Sequence, residues 1–433
     1  MGLTTGVIVA VLLVLLGSGI WVFVSLFTTA IIGLQLFRDM PVEKLLGLNI
    51  WNALNSPDLL ALPLFVLMGE VLFKADLTGA LLRGLAPWVE RLPGKLLHSN
   101  VLACTLFAAV SGSSAATTAT VGRITLEELG RLGYDRRVLM GSLAGAGTLG
   151  FLIPPSIIMI VYGVLAEVSI LKLFIAGLLP GLALSLSFMT YVAVYATLHP
   201  QAVPRATTTR LDGKTMLKSL QLMWPILLLI IAVLGSMYTG IASPTEAAAL
   251  GVVASMSICA LQRRLDVQGM RSAFLSAVRT ISMLCLIVAA AGFLSLAMGY
   301  LGIPRAVAEA VVQMELSKYA LILVLVIAYL ILGCFIDGVS MIVMTLPLTL
   351  PLITNAGFDK LWYGIFLVIA VELAQVTPPV GFNLFVIQGL TGEPLGKLAR
   401  HAAPYALIML AFIALITAFP QIVLWVPTVL TAN

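Results

Sequence analysis

The stretch SGSSAATTAT, residues 111–120, stands where an apolar segment of the chain is already under way. Its residues are small, most of them carry a hydroxyl group, and a glycine separates the first two serines. A lipid-facing helix accommodates hydroxyl groups by bonding them to its own carbonyl oxygens, but a glycine followed by paired serines is typical of a backbone turn. Taken alone, the stretch also fits an interface of small residues that packs membrane helices together.

Composition places the whole chain in the membrane. It has 433 residues, a mean hydropathy of +1.10 and only 10% charged residues, whereas soluble domains contain about 25% charged residues. The formal net charge of +5 does not indicate nucleic-acid binding, because the basic residues stand in short loops between apolar runs, where they determine topology. We therefore expect an all-α polytopic membrane protein that has the lipid bilayer as a partner and does not bind nucleic acid.

Apolar runs of roughly 20 residues predict about ten membrane crossings. They lie at residues 3–16, 19–37, 57–74, 137–165, 170–198, 219–238, 244–262, 279–300, 361–390 and 403–427. Two further apolar segments, 97–122 and 318–352, are interrupted by small polar residues, and we interpret them as re-entrant helical hairpins. The pattern also predicts an amphipathic arm at 78–95, an outer arm at 303–316 and a cytoplasmic linker at 199–218.

The distribution of basic residues predicts the orientation. In this arrangement 18 of the 24 Lys and Arg residues fall in segments on one side of the membrane. Because cytoplasmic loops carry an excess of Lys and Arg, that side is expected to be the cytoplasm. Both termini then lie on the outer side.

The hairpin motif has a second copy. Ser111-Gly112-Ser113-Ser114 precedes Pro154-Pro155 by 43 residues, and Asp337-Gly338-Val339-Ser340 precedes Pro378-Pro379 by 41 residues. The chain thus divides into residues 1–198, with scaffold spans within 3–74, and residues 219–433, with scaffold spans within 219–300. Each half has an odd number of crossings, so the two halves are predicted to be inverted repeats, an arrangement typical of secondary transporters.

The paired prolines explain the chemistry expected between the halves. Prolines inside a span remove backbone donors and free carbonyl oxygens that lipid cannot satisfy. A desolvated Na⁺ prefers oxygen ligands, so freed carbonyls and the hydroxyls of a nearby hairpin tip suit it. Half-helices that begin at the tips and after the prolines point positive dipole ends at the same space, which suits an anion. We therefore expect residues 111–120 to line a cavity.

Three acidic residues in apolar stretches are candidates for a functional role. Asp337 either ligates a cation or accepts hydrogen bonds from backbone amides at the second tip, since Asp also favours turns and helix caps. Glu372, one turn before the second Pro pair, and Glu70 either take part in coupling or are structural partners of other helices.

At these motifs the sequence resembles the large membrane subunit of the TRAP (tripartite ATP-independent periplasmic) transporters. The matching stretches run over nearly the whole chain and include LLALPLFVLMGEVL, SGSSAATTATVGRI, GTLGFLIPPSIIMIVYG, GIASPTEAAALG and TPPVGFNLFVIQG. The resemblance implies an ion-transporter-superfamily-like elevator fold in the bacterial inner membrane, driven by a sodium gradient. It also implies two partners, a small four-helix membrane subunit and a periplasmic substrate-binding protein. The small subunit's helices are not found in this sequence, so we expect that subunit to be separate.

The resemblance also assigns site residues. It implies a first sodium site formed by Ser111, Gly112, Ser113, Ser114, Thr148, Gly150 and Pro154, and a second formed by Asp337, Gly338, Ser340, Gln375, Thr377 and Pro378. It places the substrate near Ser111, Ser156, Asp337 and Asn383. Substrates of the family are mostly small organic acid anions, and the sequence does not identify which one this chain carries.

Three other functions are alternatives to transport by a tripartite system. A stand-alone carrier coupled to Na⁺ or H⁺ would work without a binding protein. An intramembrane aspartyl protease would need two facing aspartates, and only Asp337 qualifies, so we expect no enzymatic activity. A passive channel is less compatible with paired broken helices, which suit a closed, alternating site.

Overall fold

A computed structural model describes residues 2–38, 40–75, 78–204, 213–264, 266–314, 316–378 and 381–430. All regular secondary structure in these ranges is helical. The α-helices, in chain order, are α1 Gly2–Gly17, α2 Val22–Phe37, α3 Val42–Leu54, α4 Ala61–Lys74, α5 Thr78–Val89, α6 Leu97–Ser111, α7 Ser114–Arg131, α8 Arg136–Gly147, α9 Leu149–Leu152, α10 Ile157–Ala166, α11 Ile170–Leu198, α12 Gly213–Tyr238, α13 Pro244–Leu261, α14 Val267–Leu301, α15 Ile303–Gln313, α16 Lys318–Leu332, α17 Gly338–Asn355, α18 Lys360–Val376, α19 Phe382–Thr391, α20 Leu395–Ala418 and α21 Gln421–Leu430. Short 3-10 helices occupy Pro57–Leu60 and Pro200–Ala202.

Length and composition make this a polytopic membrane protein. Within the described ranges, six helices are long and apolar enough to cross a bilayer, and α8 to α10 form a further candidate that bends by 40° at its break. Five apolar helices are shorter, namely most of α1, and α2, α6, α16 and α19. The predicted number of about ten crossings and the inverted-repeat arrangement stay predictions. One of the six long helices, α17, belongs to the segment interpreted as re-entrant, and its length also suits a full span.

Several predicted boundaries differ from the structure. Helix α3 was not predicted, and the first part of the predicted span 57–74 is a 3-10 helix. Helix α14 begins well before residue 279, because Asp266 caps its first turn through the Gly269 amide, 2.7 Å away. The predicted span 403–427 is wrong as a single helix: the helix ends at Ala418, and a second begins at Gln421. Pro420 explains the break, because a proline disfavours helical geometry in the preceding residue, and Phe419 has φ −126° and ψ 76°.

The helices pack in two groups that each draw on both halves of the sequence. In the first, α2 and α4 pack on α14, α4 also packs on α13, and α5 packs on α12. In the second, α7 to α11 pack on α17 to α21, with α8 against α20, α7 against α19 and α10 against α17, while α6 packs on α7 to α9 and α16 packs on α18. The two groups meet where α4, α5 and α12 contact α6, and where α14 and α15 contact α17. Both hairpins and both broken helices therefore belong to the second group.

Hydrogen bonds define two ends of the molecule. At one end, Lys95 Nζ donates to the Pro204 carbonyl over 3.4 Å, and the Asp135 amide donates to the Ala202 carbonyl over 3.0 Å. At the other end, Lys360 Nζ donates to the Ala166 carbonyl over 3.5 Å. The first end gathers segments that the basic residues assign to the cytoplasm, and we call it the basic end.

Candidate functional site

The first hairpin tip is a tight turn between α6 and α7. Gly112 follows α6 in the left-handed region at φ 60°, which costs little only for glycine. Ser113 caps α7, its Oγ accepting from the Ala116 amide over 3.4 Å. The hydroxyls of Ser111 and Thr117 lie 2.8 Å apart. The opening stretch of the sequence thus forms a turn and the first part of a returning helix.

The first tip lies directly against the first broken helix. The Ile157 amide donates to the Gly112 carbonyl over 3.3 Å. A Cβ at Gly112 would stand 2.8 Å from the Pro155 carbonyl oxygen, and a Cβ at Gly150 would stand 2.6 Å from the Ser114 backbone. Glycine at both positions therefore permits close backbone approach between the tip and the break.

Three other predicted residues of this region have different surroundings. The Thr148 hydroxyl donates to the Gly145 carbonyl over 2.6 Å and lies 3.8 Å from Met409 Sδ, so it faces α20 rather than the tip. Ser156 is fully buried and caps α10, accepting from the Met159 amide over 3.3 Å. Pro154 is buried at the break itself.

The second tip is capped by an aspartate. Asp337 Oδ2 accepts from the Val339 and Ser340 amides over 3.1 and 3.3 Å, and Oδ1 accepts from the Ser340 hydroxyl. The capping role considered for Asp337 is therefore present. A Cβ at Gly338 would stand 2.8 Å from Val371, 3.3 Å from Ile158 and 3.5 Å from Phe151. The second tip thus contacts both broken helices.

The second break lies between α18 and α19. Helix α18 ends at Val376, and Thr377 is extended, its hydroxyl donating to the Ala374 carbonyl over 3.2 Å. A Cβ at Gly381 would stand 2.4 Å from the Gln375 carbonyl oxygen, so the chain folds back closely here. Pro378 is exposed, and Pro379 lies outside the described residues.

Glu372 connects the first tip to the second broken helix. It is 1% exposed, and the Ser114 hydroxyl donates to its Oε1. The sequence marked Glu372 as an acidic residue in an apolar stretch, but the implied sodium sites did not include it. The two residues are 258 positions apart, and no local pattern indicates such a pairing.

Buried polar atoms without partners gather in the same helices. Within the described part of the chain, no hydrogen-bond partner is found for Gln375 Nε2, Glu372 Oε2, Thr118 Oγ1 or either amide atom of Asn383. An unsatisfied buried polar group costs about 1–3 kcal/mol, so such groups are normally paired. Their position along α7, α18 and α19 indicates a place that receives a polar ligand.

Helix ends, which present carbonyl oxygens, and helix starts, which present amides, meet at this place. The ends of α6, α9, α16 and α18 present carbonyl oxygens, and the starts of α7, α10, α17 and α19 present amides. Serines 113 and 156 and Asp337 cap three of those starts. No side chain in the described ranges caps α19, which carries Asn383 in its first turn. The arrangement can bind a cation at carbonyl ends and an anion at the start of α19.

A separate cavity of about 440 Å³ opens beside the broken helices. It lies between α3, α10, α14 and α17, where the two packing groups meet. Its polar lining comes from Asn49, Asn52, Ser56 and Ser295, and it contains none of the tip residues.

Comparison with a family model decides the classification. The model described as "Tripartite ATP-independent periplasmic transporter, DctM component" matches residues 9–422. The chain belongs to this family. The resemblance drawn from the motifs is thereby confirmed, and the chain is a TRAP transporter large permease subunit. The length and composition of its helices make it a multi-pass membrane protein.

Individual relatives agree with the family, and a solved structure has a similar fold. The chain is 35% identical to the C4-dicarboxylate TRAP transporter large permease protein DctM of Pseudomonas aeruginosa, over 93% of both chains. It is 29% identical to the ectoine/5-hydroxyectoine TRAP transporter large permease protein UehC of Ruegeria pomeroyi, over 96% of both. The YdaH transporter of Alcanivorax borkumensis has a similar fold, with a TM-score of 0.61 at 12% identity, over 87% of this chain and 88% of that one.

Proposed function

We propose that the chain imports a small organic acid anion across the bacterial inner membrane, coupled to Na⁺ entry, by an elevator movement. In this proposal a periplasmic binding protein delivers the substrate, and a small four-helix membrane subunit completes the complex. The family's description as a tripartite periplasmic transporter supports both partners. The second packing group, with its hairpins and broken helices, would move as a unit against the first.

The contact between the first tip and α18 carries the proposal. The Ser114 hydroxyl reaches Glu372, while Gly112 contacts residues 155 and 157. One turn of the chain thus touches both broken helices, and the described parts of α7, α18 and α19 carry buried polar atoms without partners. A site built from both halves is the place where one conformational change could expose bound ions and substrate to either side.

Carbonyl oxygens at helix ends would hold Na⁺. The end of α6 with Ser111 and the break after Gly150 supply them in the first half. In the second half, Gln375 and Thr377 at the end of α18 would supply them together with the tip formed by Asp337, Gly338 and Ser340. A hard cation favours such neutral and charged oxygen ligands. Asp337 can contribute a carboxylate oxygen while it remains the cap of α17.

The anion would lie at the start of α19. Its amides have no side-chain cap among the described residues, and Asn383 offers an unpartnered amide group. The capping serine of α10, Ser156, is the second predicted substrate contact. The Pseudomonas relative is named for C4-dicarboxylates and the Ruegeria relative for ectoines, so we place C4-dicarboxylates first in the panel to be tested.

Uptake into proteoliposomes tests this function. The chain, reconstituted with its small subunit and binding protein, should accumulate a labelled organic acid from the panel under an inward Na⁺ gradient and not under an equal K⁺ gradient. Accumulation without the binding protein would instead support the stand-alone carrier. Uptake that is independent of both gradients would contradict coupling to Na⁺.

Substitution of Asp337 separates capping from ion binding. Asn caps helices about as well as Asp, so Asp337→Asn should change stability by less than about 1 kcal/mol. It removes the carboxylate, and Na⁺-driven uptake should therefore fall to background. Asp337→Ala serves as the control, because it should lose both the cap and the uptake. Normal uptake by Asp337→Asn would show that Asp337 only caps the helix.

A further inference from the structure

A second polar cavity, of about 540 Å³, lies far along α8 from the candidate site, at the basic end of the molecule. It forms where the start of α8, the end of α11 and the start of α20 meet. Its polar lining comes from Arg137, Tyr195, Lys397, Arg400, His401 and Tyr405. The transport site described above uses none of these residues.

The cavity holds more positive than negative charge. Lys397 donates to Glu393 over 2.9 Å, and Arg136 lies 3.7 Å from the same carboxylate. These contacts lower the pKa of Glu393, with the hydrogen bond from Lys397 as the main cause. Arg137 and Arg400 form no ion pair with any described residue. Two guanidinium groups in the lining are thus available to an anion, and Arg binds phosphate oxygens in bidentate fashion.

Two lining residues of the cavity, Tyr405 and His401, carry buried polar atoms. Tyr405 is 1% exposed, and its hydroxyl has no hydrogen-bond partner in the described part of the chain. Its Cβ lies over Gly145 and its ring edge over Gly141, so the ring lies along α8 with its hydroxyl near Ser142. His401 Nδ1 also lacks a partner among described residues. Buried polar atoms of this kind are normally satisfied, which indicates a ligand with several acceptor oxygens.

The surroundings of the cavity match a lipid rather than a solute of the aqueous phase. Val194 and Leu198 on α11 and Leu407 on α20 are exposed large apolar residues on the helices that form the cavity. Tyr191 and Tyr195 also line it, and tyrosines are typical of the membrane interface. Apolar helix faces therefore continue from the cationic lining toward the hydrocarbon region, as an acyl chain requires.

We infer that this cavity binds the headgroup of an anionic phospholipid of the inner leaflet. The phosphodiester lies between Arg137 and Arg400, and the acyl chains follow the apolar faces of α11 and α20. Basic pockets between membrane helices on the cytoplasmic side bind anionic headgroups in this way. Helix α8 leads into α9 at the first break, and α20 follows α19 in the chain. A lipid bound to α8 and α20 would therefore anchor the packing group that is proposed to move.

Thermal unfolding of the purified full chain in neutral detergent tests the inference, with phosphatidylglycerol, phosphatidylcholine and inorganic phosphate as separate additions. Phosphatidylglycerol should raise Tm saturably, and the other two should not. In the double variant Arg137→Gln/Arg400→Gln, the midpoint, which is the phosphatidylglycerol concentration that gives half of the Tm shift, should rise about 25-fold, because each arginine contributes about fivefold. The control Arg131→Gln/Arg271→Gln removes the same charge elsewhere and should keep the wild-type midpoint.

Three results of this experiment would overturn the inference. Equal shifts with phosphatidylcholine, or an unchanged midpoint in the double variant, would overturn the inference. A full shift with inorganic phosphate alone would assign the site to a free anion and would also overturn it. Should the double variant fail to fold, the single variant Arg400→Gln replaces it, and its phosphatidylglycerol midpoint should rise about fivefold. An unchanged midpoint there would contradict the inference.

Discussion

At the scale of single residues, Glu372 is the group that the sequence marked without assigning its role. Its carboxylate is buried, accepts from Ser114 and has one oxygen without a partner in the described ranges. A buried carboxylate is expensive unless it is paired. A buried acidic side chain where a hairpin tip contacts a broken helix is therefore a candidate for a role in coupling.

Replacement of Glu372 by Gln tests that role. Gln keeps the volume and accepts from Ser114, but it removes the ionisable carboxyl group. A hydrogen bond to a charged group contributes about 1.5–3 kcal/mol, so Na⁺-driven uptake should fall about tenfold or more. The control Glu309→Gln replaces an exposed glutamate on α15 and should retain wild-type uptake. Equal rates in both variants would show that Glu372 is only a packing partner.

The sequence predicted some of these residues and could not predict others. Paired serines after glycine and an aspartate in an apolar run indicated both tips, because turns and intramembrane charges have strong local signals. The Ser114–Glu372 pair and the orientation of Thr148 toward Met409 depend on long-range packing. The spacing of residues in the sequence predicts neither contact.

At the scale of elements, local rules explain which helix ends were predictable. The bounds of α11 agree with the predicted span 170–198, where Ser169 caps the first turn over 3.4 Å. The end of α20 was missed, because apolar composition continues through residue 427 while Pro420 alone interrupts the helix. Helix α3 was missed because its mixed polarity does not resemble a span.

The close approach of the first tip and break can be tested through glycines. Gly150→Ala places a Cβ 2.6 Å from the Ser114 backbone, which cannot move as a flexible side chain could. Overpacking of this kind costs about 1–3 kcal/mol, and Tm of the purified chain should fall accordingly.

The matched control for this substitution is Gly130→Ala in α7. A Cβ there meets nothing within 4 Å, and alanine favours helix by up to about 1 kcal/mol. Its Tm should therefore stay level or rise. Similar Tm values for the two variants would contradict the packing described between Gly150 and Ser114.

At the scale of the whole molecule, composition and the basic residues determine most of what can be predicted. They place the chain in the membrane and assign one end to the cytoplasm. The sequence did not reveal that each packing group combines helices of both halves, such as α4 with α13 and α8 with α20. That arrangement depends on which apolar faces fit together, and the faces are chemically alike.

Single cysteines in a cysteine-free background test the orientation. Glu128→Cys lies near the end of α7 at the basic end, and Glu309→Cys lies on α15. In intact right-side-out vesicles, an impermeant maleimide should label Glu309→Cys and should reach Glu128→Cys only after permeabilisation. The reverse pattern would mean that both termini are cytoplasmic.

The central claim is that the two tips and two breaks form a sodium site, and a titration of thermal stability measures it without partners or substrate. The Tm of the purified chain should rise saturably with Na⁺, as expected for a ligand that binds only the folded state, but not with K⁺ at equal ionic strength. Asp337→Asn should abolish the rise. Identical curves for Na⁺ and K⁺, or an undiminished rise in the variant, would contradict the account.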